Sequence, residues 1–307
     1  MATAGGRRSS DVDSEVFVAQ QAMARRFAGL HAGPGVLVLP NAWDAGSAAL
    51  LARVPGVRAL ATTSAGMAAA HGLPDGELLG LDHLLAALTQ LIRAVALPVT
   101  VDLETGYGNT PDEVADSVAS VIDAGAVGVN LEDGLPGRPD QLLPAEEHAG
   151  RIAAARSAAG QVGVPIVVNA RTDVYWRAIG RPECRLAHAV YRSRIYAEAG
   201  ADCVFVPGFP GPDVPDRQAR DLIAELVGEL AGTPLNLLAN TSLPPVDVLA
   251  ELGVRRLSVG SALYRLAMAA VRGAAVDLFA TGRPDALAGA DRLSYQELLD
   301  VLSTTGT

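Results

Sequence analysis

Eight short apolar runs recur along the sequence, at Val36–Leu39, Ala59–Thr62, Val99–Leu103, Val127–Leu131, Ile166–Asn169, Cys203–Val206, Leu235–Leu238 and Leu257–Val259. Each is rich in Val, Ile or Leu and reads as non-alternating, the pattern of parallel strands buried on both faces. Ala-rich helical stretches lie between them, among them Leu81–Val95, Pro111–Ala124, Ala145–Ala159, Cys184–Ala199, Asp216–Leu230 and Pro245–Leu252. Two of these run into Ala-Gly-Ala, at 124–126 and 199–201, and feed the next run within a few residues. A helix that stops at glycine and hands on to a strand is a βα repeat. Eight such units over roughly 250 residues predict an α/β chain folded as a (β/α)8 TIM barrel. A doubly wound open sheet is the rival, but it would carry a phosphate-binding glycine fingerprint after its first strand. The chain reads LPNAWDAGSA there (39–48), without that fingerprint.

No linker interrupts the rhythm, so residues 14–307 are expected to form one catalytic domain behind a disordered tail at 1–13. Ser14 can cap a helix from Glu15 to about Leu30. Ser261–Gly282 and Leu293–Leu302 supply more helix than barrel closure needs. Half of the 307 residues are hydrophobic and 19% are charged, so a sizeable core is available. A net charge of −10 repels phosphate backbones and argues against nucleic acid as a partner. No apolar run is long enough to cross a membrane, and no apolar stretch follows the N-terminal arginine pair as a secretory signal requires. The expectation is a soluble, cytoplasmic protein. Cys184 and Cys203 sit in no metal-ligand spacing and are expected to be two buried thiols in a reducing compartment.

Residues that follow the strands of a barrel line one mouth, where active sites form. Acidic residues crowd the third and fourth runs. Asp102 and Glu104 alternate on one strand and so point the same way, with Glu132 on its neighbour. Carboxylates converging on one mouth repel each other unless a cation joins them. Oxygen-only ligation suits a hard ion, Mg2+, with Mn2+ as a possible substitute. Arg171 follows the fifth run; its fork can grip a carboxylate in two-pronged fashion or pair with Glu132 or Asp133. Gly106 and Gly108 let backbone amides approach an anion. His31, His71, His83, His148 and His188 fall in places that suit surface or structural roles, and no Ser/His/Asp order lies at strand ends.

The segments PNAWDAGSA (40–48), TTSAGMAAAHGLPDG (62–76), VDLETGYGNT (101–110), GVNLEDG (128–134), VNARTD (168–173) and ANTS (239–242) together resemble the isocitrate lyase and phosphoenolpyruvate mutase superfamily. That resemblance implies a barrel with a C-terminal helix exchanged between subunits, in a homo-oligomer that is a dimer or tetramer. It implies Mg2+ and a small 2-oxo or 2-hydroxy carboxylic acid as substrate. Carried over by position, Asp102 would bind the metal directly, and Asp75, Glu104 and Glu132 would bind it through water. Arg171 would clamp the substrate carboxylate, helped by amides near Thr63, Ser64 and Ala65. Trp43 and Asn240 would wall the pocket, with Gly106, Gly108 and Asn109 beside the substrate.

The sequence departs from the superfamily where the reaction is set. The loop after the fourth run, DGLPGRPDQLLPAEEHAGR (133–151), lacks the Lys-Cys-Gly-His stretch of the lyases, and Gly134 stands where the mutases carry the lysine of Glu-Asp-Lys. Pro207-Gly208 replaces the Glu or His expected after the sixth run. Tyr107 is then the candidate for proton transfer, since a phenol beside Mg2+ can have a lowered pKa. Glu146, Glu147 and His148 would serve instead if their loop folded inward. With Arg171 and Glu132 at the reacting centre, the expected function is a Mg2+-dependent lyase that breaks or makes a C–C bond through an enolate-like pyruvoyl intermediate. The alternatives are a C–C or P–C hydrolase or phosphonomutase on the same metal site, a non-catalytic 2-oxo-acid-binding homologue, and an unrelated phosphate-binding barrel suggested by VGSALYR (259–265) at the opening of a helix.

Overall fold

A computed structural model describes residues 9–288 and 292–303. The chain opens with α1 (Ser9–His31), β1 (Leu37–Leu39), β2 (Asn41–Ala42), α2 (Ala45–Leu51), β3 (Leu60–Thr62), α3 (Ser64–Ala70) and α4 (Leu81–Arg93). It continues with β4 (Val99–Asp102), α5 (Pro111–Asp123), β5 (Gly128–Glu132), α6 (Ala145–Val162), β6 (Val167–Arg171), α7 (Arg185–Glu198) and β7 (Cys203–Phe205). It ends with α8 (Asp216–Glu229), β8 (Leu235–Leu238), α9 (Val246–Glu251), β9 (Arg256–Ser258), α10 (Ala262–Thr281) and α11 (Tyr295–Ser303). The strands form one parallel sheet in the order β1-β9-β8-β7-β6-β5-β4-β3-β2. β1 and β2 are two pieces of one strand broken at Pro40, which has no N–H to give the ladder. The first piece pairs with β9 and the second with β3, so the eight predicted strands close into the barrel.

The strands alternate more than the sequence reading allowed. Asn130, Asn169, Asn236 and Ser258 bond to one another, Asn236 reaching Asn169 past β7, and therefore share the inner face. Val101, Val129, Leu131 and Val168 pack with the surrounding helices in the main core. A short strand with one polar residue among aliphatics looks continuous in sequence, which is why the alternation was not read.

α1 closes the N-terminal end of the barrel. Phe27 is fully buried, and Gln20 bonds the Ile122 and Ala126 carbonyls just ahead of β5. The helix begins at Ser9 rather than Glu15; the part of the expected tail at residues 1–8 lies outside the described residues. α2 and α3 are short helices at the ends of the first two strands. They form because Asp44 and Ser47 make a capping box and Thr63 caps the Gly66 amide. Cys203 is buried as expected, but Cys184 is exposed beside the first turn of α7. No helix among the described residues is long and apolar enough to cross a membrane. α10 has no buried residue and exposes Leu266, Val271, Val276 and Phe279, the last 88% exposed.

The loop after β5 is tied down by Asp133. Its fully buried carboxylate accepts from Arg192 Nη1 at 3.0 Å, the Tyr196 hydroxyl at 2.7 Å and the Asp173 amide at 2.8 Å. Removing one partner of a buried pair strands the other. Asp133→Ala is therefore expected to lower the unfolding free energy by about 3–5 kcal/mol in urea titrations. A loss below about 1 kcal/mol would show that this network does not hold the loop.

Candidate active site

A cavity of about 370 Å3 opens at the C-terminal ends of the strands. Asp102, at the end of β4, stands in its wall. Its Oδ2 accepts from the Ser64 hydroxyl at 2.9 Å and the Ser64 amide at 3.2 Å, while Oδ1 accepts from Asn130 at 2.9 Å. Asn169 donates to Asn130 at 2.7 Å, and Asn236 to Asn169 at 3.5 Å. A row of amides thus crosses the barrel and ends on Asp102. Thr63, Ser64, Ala65 and Asp75 line the same cavity.

Glu104 lies one step beyond and is 5% exposed. Burial, then Asp75 and Asp102, push its carboxyl up from the ordinary 4.5 to about 8. Desolvation at the crowded rim, then Asp102, also raises Asp75. Glu77, a residue the sequence reading passed over, organises this corner. Its Oε1 accepts from the Thr105 amide and hydroxyl and from the Tyr107 amide, and its own amide donates to Glu104 at 2.8 Å. Glu77, Glu104 and Tyr107 all hold positive φ, at 64°, 51° and 53°. Three non-glycine residues in the left-handed region store strain that the surrounding bonds must hold.

The Tyr107 hydroxyl donates to Glu104 at 3.2 Å. Burial and the neighbouring carboxylates push its pKa up. The lowered phenol expected from the sequence is the opposite of what these neighbours produce. Of the alternative proton carriers, Glu146 and Glu147 are exposed on α6, His148 is fully buried, and none lines the cavity.

Arg171, at the end of β6, lines the cavity with its fork already engaged. Nη1 pairs with Glu132 at 2.7 Å and Nε with Asp173 at 2.6 Å, so its partners are Glu132 and Asp173 rather than Asp133. Among the described residues only Nη2 of the fork has no carboxylate partner, a single prong where two were expected. Glu132 is itself raised well above its ordinary value, by burial first and against the pull of Arg171. Arg177, also unforeseen, binds Asp173 at 2.9 Å and donates to the carbonyls of Leu135 and Arg138 at 2.8 Å. A Cβ at Gly134 would overlap the Arg177 guanidinium. Glycine at 134 and arginine at 177 are thus sterically linked.

The remaining predicted residues divide. Asn240 lines the cavity and folds into a turn, accepting from the Ser242 amide at 2.8 Å. Trp43 does not line it; it packs edge-on against Tyr264 at 5.4 Å, and the tryptophan of the wall is Trp176. Gly106, Gly108 and Asn109 do not reach the cavity either. They form the turn into α5, where the Asn109 amide donates to Glu113 and Arg151 ties the carbonyls of Gly108 and Asn109. Before α10, the Val259 and Gly260 amides are taken by Asn41, which removes them from phosphate binding.

The family model for phosphoenolpyruvate phosphomutase matches residues 27–279. The chain belongs to this family, within the PEP mutase/isocitrate lyase superfamily. An uncharacterized protein of Mycobacterium tuberculosis is 36% identical over 251 residues, 81% of this chain and 87% of that one. The 2-methylisocitrate lyase of Halalkalibacterium halodurans is 31% identical over 226 residues, 70% of this chain and 71% of that one. The solved structure of oxaloacetate acetylhydrolase with the product oxalate superposes with a TM-score of 0.78 at 26% identity, covering 92% of this chain and 95% of that one.

Among the described residues no three of His, Cys, Asp and Glu close on one point, so a cage of three direct carboxylates is not built. What the chain offers is all oxygen: Asp102 at the cavity, with Asp75, Glu104 and Glu132 around it, three of them raised by burial and crowding. That fits an ion with one direct carboxylate and the rest through water.

Glu104 gives a pH signature. Its folded pKa lies above its unfolded one, so ionising it works against the fold. The contribution is absent below about pH 4.5 and grows as pH rises through about 8. Metal-free protein should therefore lose stability between these limits, by an amount on the order of a few kcal/mol. Glu104→Gln should flatten the profile in thermal melts, and an unchanged slope in that variant would refute the assignment.

Proposed function

We propose that this protein is a Mg2+-dependent lyase, with Mn2+ as a possible substitute, acting on a C–C bond of a small 2-oxo or 2-hydroxy carboxylic acid. The observation that carries this is Asp102 in the wall of the cavity and Glu104 and Glu132 in the adjoining pocket, with Asp75 and Arg171 lining both, in a chain of this superfamily. Asp102 would hold the ion directly and the other three through water. A bound Mg2+ supplies a Lewis acid for negative charge developing on the 2-oxo oxygen. Arg171 Nη2 and the amides at Thr63–Ala65 orient the substrate carboxylate. Tyr107, as a donor to Glu104, keeps a proton at the mouth rather than acting as a phenolate. Localisation in the cytoplasm accompanies this reading.

A C–C or P–C hydrolase or phosphonomutase on the same site is the second reading. The loop after β5 lacks the Lys-Cys-Gly-His stretch of the lyases and is pinned by Arg177, which favours the C–C hydrolase, whereas Gly134 in place of the mutase lysine lends the phosphonomutase no support. Product analysis separates them: one 2-oxo acid such as pyruvate with a second carboxylic acid marks the lyase, oxalate the C–C hydrolase, inorganic phosphate the P–C hydrolase and an isomeric phosphonate the mutase.

Asp102→Ala is expected to remove both metal binding and turnover while leaving the fold intact, read by calorimetry and circular dichroism; full turnover after EDTA treatment would rule out the metal reading. Arg171→Lys keeps the charge and loses the fork. Its kcat/KM should fall about tenfold or more, as expected for a charge-assisted contact of roughly 1.5–3 kcal/mol. We also infer a dimer or tetramer with a C-terminal helix exchanged between subunits, because α10 leaves Phe279 and Leu266 uncovered. Light scattering at micromolar concentration should report an oligomer, with Phe279→Asp shifting it toward monomer.

A further inference from the structure

The deep end of the cavity carries a charge that the protein leaves unanswered. Arg256, on β9, lines the cavity and is 2% exposed. Its Nε and Nη1 have no hydrogen-bond partner, and no carboxylate among the described residues lies within ion-pair distance of it. Other deeply buried arginines are paired, Arg192 with Asp133 at 3.0 Å and Arg151 with Glu147 at 3.3 Å. A guanidinium does not readily shed its charge, and an unpaired buried cation is unfavourable. Burial pushes Arg256 down to about 10. Asp102 eases this only at a distance, since its oxygens accept from Ser64 and Asn130. His31, closing the barrel base, is lowered to about 4 by burial and by Arg256, so it is neutral and supplies no counter-charge. Thr100, in the same lining, has a buried hydroxyl without a partner. The unpaired groups are therefore a fixed cation and a hydroxyl able to donate, which is the complement of an anion.

We propose that the floor of the cavity, at Arg256 and Thr100, is an anion subsite that takes a carboxylate or a monoanion of similar size. β9 stands three strands round the barrel from the β6 strand that bears Arg171, so Arg256 and Arg171 enter the one cavity from different strands.

Formate is the probe. Thermal melts of the wild type, with ionic strength held constant by a bulky sulfonate, should show a saturable rise in Tm of about 2–5 °C. Arg256→Met should abolish that rise, and Arg171→Lys should retain it. No saturable rise in the wild type, or an equal rise in Arg256→Met, overturns the proposal. If Arg256→Met does not fold, wild-type crystals grown in bromide decide: an anomalous peak against the Arg256 guanidinium supports the subsite, and its absence overturns it. The source of the natural anion is read by competition. A four-carbon dicarboxylate that displaces formate makes the floor the seat of a substrate arm, and one that binds beside formate makes it the seat of a free ion. Either result supports the subsite, and neither depends on which reaction the enzyme performs.

Discussion

Buried polar groups must find partners, and in this barrel that requirement sets the direction of a row of amides on the inner face. Asn236, Asn169 and Asn130 each donate toward β4, and the last donor falls on Asp102. An amide has one donating and one accepting end, so fixing one asparagine fixes the next. Ser64 satisfies the other oxygen from the opposite side. Asp102 is therefore oriented by the barrel interior itself. The rest of the mouth is arranged around that carboxylate.

Around it the protein tolerates conflict. Glu104, Asp75 and Glu132 are all pushed toward their protonated forms by burial and by one another, and Arg171 offsets only part of this at Glu132. The backbone is strained in the same place, at Glu77, Glu104 and Tyr107. Such conflicts persist only where surrounding structure over-determines them, which is the common condition of a site prepared for a ligand. The structural acid beside them, Asp133, shows the contrast: it is as deeply buried, yet Arg192, Tyr196 and the Asp173 amide answer it fully.

The loop after β5 shows how a family site can be altered without disturbing the barrel. Gly134 leaves room for the Arg177 guanidinium, which reaches from the far end of the β6 loop to hold the carbonyls of Leu135 and Arg138. Arg177 also binds Asp173, whose other oxygen holds Arg171. The loop is thus fastened to the acid cluster by a charge network. Such a network can change the reach of the pocket while leaving Asp102 and its amide row untouched.

The sequence by itself determined the strand–helix rhythm, the barrel, and the grouping of Asp102, Glu104, Glu132 and Arg171 at one mouth. These follow from local hydrophobic patterning and from the rule that strand ends share a face, both of which act over short stretches of chain. It could not distinguish residues near the mouth from residues in its wall, so Trp43, Gly106, Gly108 and Asn109 were placed at the substrate, whereas the structure turns them into packing and turn geometry. Glu77, Arg177 and Arg256 carry no motif, because each acts on partners brought together only by closure of the barrel. Charge state was likewise beyond the sequence. Whether Tyr107 is lowered or raised, and whether Glu104 ionises near 4.5 or near 8, depends on desolvation and on neighbours at a few ångströms. Only the tertiary structure sets those distances.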